Sequence, residues 1–141
     1  TKTRSMHGTY ESLIKQMHRF AVGRVATSVD GDVVYTEAPD GALTKSLLHD
    51  NGVAPARLKP VNYSEDACEQ IRRITGIACV CAKMEDLIFE RTCAVVWFDL
   101  ECVDILQHHV DRAAAALAPD GLLALTLSSS HVEGGGKGCA C

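Results

Sequence analysis

The chain has 141 residues, long enough for one domain with a core of its own, and 47% are hydrophobic against 23% charged, an ordinary globular balance. A net charge of −4 without a Lys/Arg cluster argues against coating nucleic acid through phosphate contacts, and leaves open RNA binding at one defined place. No apolar run approaches the ~20 residues of a membrane span, and residues 1–30 lack a signal peptide's unbroken apolar segment, so a cytoplasmic location is expected.

The chain begins at Thr1 without an initiator Met, as expected of a fragment or processed form. Its cysteines number seven, an odd count. Cys68, Cys79, Cys81, Cys93 and Cys102 fall at element positions, as small buried hydrophobes in a reducing compartment do. Cys79 and Cys81 share one face of an apolar run, so both are predicted to be shielded. Cys139 and Cys141 close the chain, but no matching Cys/His pair completes a tetrahedral zinc set, and no metal is predicted.

Residues 1–9 are polar and predicted to be a flexible N-terminal segment. From residue 10 to 24 apolar residues recur at Leu13, Ile14, Met17, Phe20 and Ala21, one face of an amphipathic helix, with Lys15, His18 and Arg19 on the wet side. Asp30-Gly31 turns into Asp32–Thr36, a short β-branched strand. Glu37 ends it, and Pro39 and Gly41 bend the backbone into a helix over 42–48, with Leu43 and Leu47 at i, i+4. An acid at a strand's carboxyl end, a glycine turn and a helix start suit a small ligand: backbone N–H groups for an anion, the acid for a hydroxyl or ammonium. A turn that merely joins strand to helix is the competing reading.

Asn51-Gly52 stops that helix, and 53–57 is a connector. A second strand spans 58–61, irregular at Pro60. Ser64 caps a helix that runs to about residue 74, with Glu65 and Asp66 in its first turn. The third strand, 77–82, is apolar on both faces, as in a sheet covered on both sides. A short helix over 85–90 precedes the fourth strand, 93–98, which ends in Asp99. A helix over 103–118, the turn Pro119-Asp120-Gly121 and a fifth strand, Leu122-Leu123-Ala124-Leu125-Thr126-Leu127, complete the pattern. Residues 131–141 read as a Gly- and Cys-rich flexible tail.

Five strands alternating with helices predict a Rossmann-like α/β three-layer sandwich over residues 10–130: a mainly parallel five-stranded sheet with helices on both faces. Ligands of such sheets bind outside the strands' carboxyl ends, where Glu37, Asn62, residues 83–86, Asp99 and residues 128–130 fall.

In that order of elements the chain resembles a class I S-adenosylmethionine-dependent methyltransferase. Thr36-Glu37-Ala38-Pro39-Asp40-Gly41-Ala42 stands where the family has its acidic, glycine-rich first motif, and the resemblance implies that this turn faces the cofactor's methionine part. Asn62 stands at the ribose position, where an acid is usual. Met84-Glu85-Asp86-Leu87 stands where an acid contacts the adenine, with Lys83 near its expected place. Trp97-Phe98-Asp99-Leu100 is similar to the fourth motif, and implies that Asp99 binds cofactor, orients the acceptor or acts as base. Ala118-Pro119-Asp120-Gly121-Leu122-Leu123 resembles the turn before strand five. The resemblance thus implies S-adenosylmethionine as cofactor, S-adenosylhomocysteine as product and an unassigned methyl acceptor. The first motif has one glycine where two or three are usual, Leu-Glu-Cys follows Asp99 in place of the Pro-Pro-Tyr of base-methylating enzymes, and strands six and seven are absent.

The alternative is a catalytically silent Rossmann-like module serving as a subunit or interaction domain. A dinucleotide dehydrogenase would need a G-x-G-x-x-G turn, and a nucleotide hydrolase a Walker loop; neither is present. His108-His109, with Asp111 and Arg112 nearby, reads as a solvated helix face. The uncharged segment 122–127 lacks the Lys or Pro that usually blocks an edge strand, so pairing with a twin chain, a partner subunit or a missing segment is expected.

Overall fold

The computed structural model describes residues 2–100 and 107–127. Helix α1 (Lys2–Ser28) leads into β1 (Asp32–Thr36), and the next turn opens α2 (Ala42–Lys45), which runs on into a π-helical turn over Ser46–Asp50. β2 (Leu58–Asn62), α3 (Glu65–Thr75) and β3 (Val80–Cys81) follow, then β4 (Cys93–Leu100), α4 (Gln107–Ala116) and β5 (Leu117–Leu127). The strands form one sheet in the order β3-β2-β1-β4-β5, every pair parallel. The chain steps outward from β1 to β3, then returns to lay β4 on the other side of β1. In parallel sheets such a reversal marks the place where ligands bind, outside the carboxyl ends of the strands, here those of β1 and β4.

Alternation along the strands divides the core in two. Val33 and Tyr35 of β1 and Val95 and Trp97 of β4 face Val22 and Ala26 of α1, Leu43 of α2 and Leu47 of the π-helical turn. Val34, Val61, Val96 and Phe98 face the other way, against Ala113 of α4 and Met84. Ala94 and Val95 are neighbours in sequence yet share the first core. A register shift between Asp32↔Cys93 and Val33↔Val95 accounts for this, since an extra residue in β4 resets the alternation. The three layers expected from the sequence are thus present.

Four local expectations are corrected. First, α1 starts at Lys2, over residues read as loose, and its apolar stripe is turned outward: Leu13, Met17 and Phe20 are 54%, 71% and 68% exposed. The docked stripe is instead His18, Val22, Val25, Ala26 and Val29, rotated by about 100°, one residue's turn of a helix. His18 is therefore half-buried and bonded, not on the wet side.

Second, β3 is a two-residue edge strand, paired only with β2, and both residues are exposed. Apolar composition suggested burial on both faces, but a strand at the sheet's end has one neighbour. Cys81 is accordingly exposed and Cys79 intermediate, against the shielding expected for both, whereas Cys68 and Cys93 are buried as expected.

Third, 85–90 is not a helix. A single 3-10 turn, Met84–Asp86, is followed by extended chain in which Leu87 and Phe89 pack on the core and Ile88 is exposed, a period of two. Fourth, α4 ends at Ala116 and β5 begins at Leu117, ahead of the predicted turn. The register runs Cys93↔Leu117 and then Val95↔Leu122, so Pro119-Asp120-Gly121 bulges out of the strand with Asp120 at φ 69. The tail 131–141, with Cys139 and Cys141, and Cys102 lie outside the described residues.

Candidate functional site

Glu37 follows β1 directly and is 3% exposed. Its Oε1 accepts the Ala38 N–H at 2.9 Å, and its Oε2 accepts both the Thr44 N–H and the Thr44 hydroxyl at 2.6 Å. With the Thr44 proton committed to Glu37, Tyr35 Oη donates to Thr44 Oγ1 at 2.7 Å. Burial raises the Glu37 pKa above the ordinary carboxylate value; the Thr44 and Ala38 donors oppose the rise and the Asp40 charge adds to it. Burial likewise pushes the Tyr35 hydroxyl upward, so it remains a donor at neutral pH. The result is a Tyr35-Thr44-Glu37 chain that ties the end of β1 to α2.

The turn itself is closed by the chain's own groups. Gly41 N–H donates to the Ala38 carbonyl at 2.9 Å, and Ala42 N–H to Asp40 Oδ1 at 3.1 Å. The N–H groups of Ala38, Gly41, Ala42 and Thr44 are therefore bonded within the segment itself. The Glu37 carboxylate, accepting three hydrogen bonds from this segment, holds the turn in shape. Ala38, Pro39 and Asp40 are exposed and form its outer surface.

Asn62, at the end of β2, faces this turn. Its Nδ2 donates to the Glu37 carbonyl at 2.8 Å, and its Oδ1 accepts the Ser64 N–H at 2.9 Å. An acid here could accept from Ser64 but could not donate to Glu37, which gives the amide a structural reason. Asn62 keeps a second amide N–H and a further carbonyl lone pair. Ser64 caps α3 as predicted, accepting the Ala67 N–H at 3.2 Å.

Asp86 ends the 3-10 turn and is exposed. Asp99 lies near the end of β4, paired with Thr126. The side chains of Glu85 and Asp99 lie outside the described residues, so only their backbone places are fixed. The structure thus joins Glu37, Asn62 and the 38–41 turn by direct hydrogen bonds, and supplies no such bond from Asp86 to them. The His108 and His109 rings on α4 lie 4.0 Å apart with their planes tilted by 52°, and His108 is exposed.

Two features were missed from sequence. Thr44 is fully buried and is the pivot of the turn; one Thr within an apolar helix carries no local signal. The second is a contact of three elements: Trp97 Nε1 donates to Thr126 Oγ1 at 2.9 Å, and the His18 ring, edge-on to Trp97 at 5.6 Å, bonds the same hydroxyl through Nδ1.

No protein-family model matches the sequence, and no curated protein matches it. Solved structures do. The N-methyltransferase NodS from Bradyrhizobium japonicum superposes with a TM-score of 0.58 at 17% identity, over 79% of this chain and 66% of that one. The sugar N-methyltransferase KedS8 from Streptoalloteichus gives 0.57 at 18% identity, over 76% and 44%. The plantazolicin methyltransferase BpumL, solved with S-adenosylhomocysteine, gives 0.58 at 11% identity, over 94% and 56%. The chain therefore spans less than two thirds of the length of each of these proteins. With its parallel β3-β2-β1-β4-β5 sheet, it has the Rossmann-like fold of class I methyltransferases.

Proposed function

We propose that this chain is the S-adenosylmethionine-binding part of a methyltransferase, its domain covering residues 10–130. The observation that carries the reading is the strand reversal between β1 and β4 with the internally braced 37–41 turn at its mouth, in a fold shared with methyltransferases solved with S-adenosylhomocysteine. The remaining donors and acceptors suit such a ligand. Asn62 retains one N–H and one lone pair for a ribose hydroxyl, the exposed turn carries Ala38, Pro39 and Asp40, and Asp86 offers an acceptor at the adenine end.

In this reading Glu37 is a positioning residue: it fixes the backbone of Ala38, Pro39, Asp40 and Gly41 against which the methionine part lies. Glu85 or Asp86 contacts the adenine, and Asp99 orients the acceptor or the cofactor's amino group. The bound sulfonium supplies the methyl group, and the chain's share of the work is alignment and exclusion of water. A cytoplasmic, reducing location suits the free thiols among the described residues.

Calorimetry with S-adenosylhomocysteine tests the reading. The parent chain is expected to bind, and Glu37→Ala to bind about 1–3 kcal/mol more weakly, as the turn loses its charged acceptor. No binding by the parent overturns the function. Unchanged affinity in Glu37→Ala overturns the role given to that residue.

A further inference from the structure

Three thiols gather at the β3 edge of the sheet. Cys68 projects from α3, and Cys79 and Cys81 flank Val80 of β3; with Glu65, Glu69 and Arg72 they line a cavity of about 250 Å³. The Cys68 sulfur donates to the Asn62 carbonyl at 3.2 Å and lies 3.8 Å from the Val80 carbonyl, and the Cys79 sulfur lies 3.8 Å from that same oxygen. Cys81, across the ladder from Asn62, reaches the Tyr63 carbonyl at 3.7 Å. The Cys68 and Cys79 sulfurs thus share the Val80 carbonyl, and Cys68 interacts electrostatically with both Cys79 and Cys81. Desolvation, and then the Cys68 thiol, raises the pKa of both Cys79 and Cys81, so these two thiols stay protonated at neutral pH. Among the described residues no group of three or more His, Cys, Asp or Glu is arranged to hold a metal ion, and sulfur chemistry is what the geometry supports.

We propose that Cys68 and Cys81 form a reversible disulfide that ties edge strand β3 to α3, with a peroxide as the oxidant. The exposed Cys81 meets the oxidant first: its proton passes to solvent, the thiolate sulfur attacks the O–O bond of hydrogen peroxide, and the hydroxide released takes up a proton, giving a sulfenic acid and one water. The buried Cys68 sulfur then displaces the sulfenic hydroxyl, forming the S–S bond and releasing a second water, the two thiol protons leaving in the waters. Two thiols are oxidised by two electrons, and one peroxide is reduced. Cys68 thereby loses the S–H that it gives to Asn62, leaving the Ala82 N–H, at 3.0 Å, as the donor to that carbonyl, while the edge strand is held covalently.

Peroxide treatment of the full chain, tryptic digestion without reductant and mass spectrometry test this. Arg72 and Arg73 separate Cys68 from the other two thiols, so the bond appears as a crosslinked peptide pair. The pair is expected in the parent and in Cys79→Ser, and absent after dithiothreitol and in Cys81→Ser, a substitution at an exposed position that leaves the core intact. Amide exchange at Ala82 is expected to slow on oxidation. No crosslink in the parent, or a crosslink that persists in Cys81→Ser, overturns the proposal.

Discussion

At Gly41 the backbone sits at φ 65, and a Cβ would lie 2.6 Å from Thr75 Cγ2 of α3. Strain and collision therefore oppose a side chain separately, and they can be measured separately. Gly41→Ala is expected to cost about 2–4 kcal/mol, the sum of a left-handed L-residue and an overpacked contact. Adding Thr75→Ser removes the methyl but keeps the hydroxyl that donates to the Ile71 carbonyl and accepts the Ile77 N–H. The double variant should recover the cost of the collision and keep that of the strain; in urea denaturation, equal stability of single and double variants would refute the collision. This glycine was legible in the sequence, because turn chemistry is local. The work of Asn62 was not: its reason is the Glu37 carbonyl, 25 positions away in the chain. Thr44 was invisible for the same cause, since its partners are fixed only once α2 folds back on β1.

Among the elements, central strands were read well and marginal ones badly. β1 and β4 each have two strand neighbours and packing on both faces, so their composition reports their burial. β3 and α1 lie at the boundary, where an apolar residue is as compatible with the outside as with the core, and periodicity alone fixes a helix's face only to within one residue's rotation. β5 closes the described sheet on the side away from β3, with Leu125 39% exposed and no charged side chain in 122–127. Among the described strands its outer edge has no partner, and we propose it as a pairing template. Light scattering is expected to find dimers or larger species, and Leu125→Lys to shift the population towards monomer. A parent that stays monomeric at high concentration would contradict the pairing.

For the whole molecule, β–α alternation and the right-handed crossover rule sufficed to predict a parallel sheet between two helical layers. They could not set the lengths of its outermost members, which depend on what covers them. The two cores meet the sheet unequally: α1 and α2 lie over Tyr35 and Trp97, α4 and the 84–89 segment over Val34 and Phe98. The braced turn of Glu37 belongs to the first layer through Tyr35 and Thr44, so the candidate pocket and the docking of α1 draw on one packed unit.

Trp97 is the chain's one tryptophan, 3% exposed, with its indole N–H on β5 and a ring of α1 against its edge. The molecule therefore carries its own optical gauge of whether its first helix is seated. The emission should be that of an indole in a dry environment, and His18→Ala should shift it to longer wavelength while the far-ultraviolet dichroism of the sheet is kept. An unmoved emission maximum would mean that water does not follow the imidazole out. The same signal, followed during ligand titration or oxidation, would report motion of α1 without any added label.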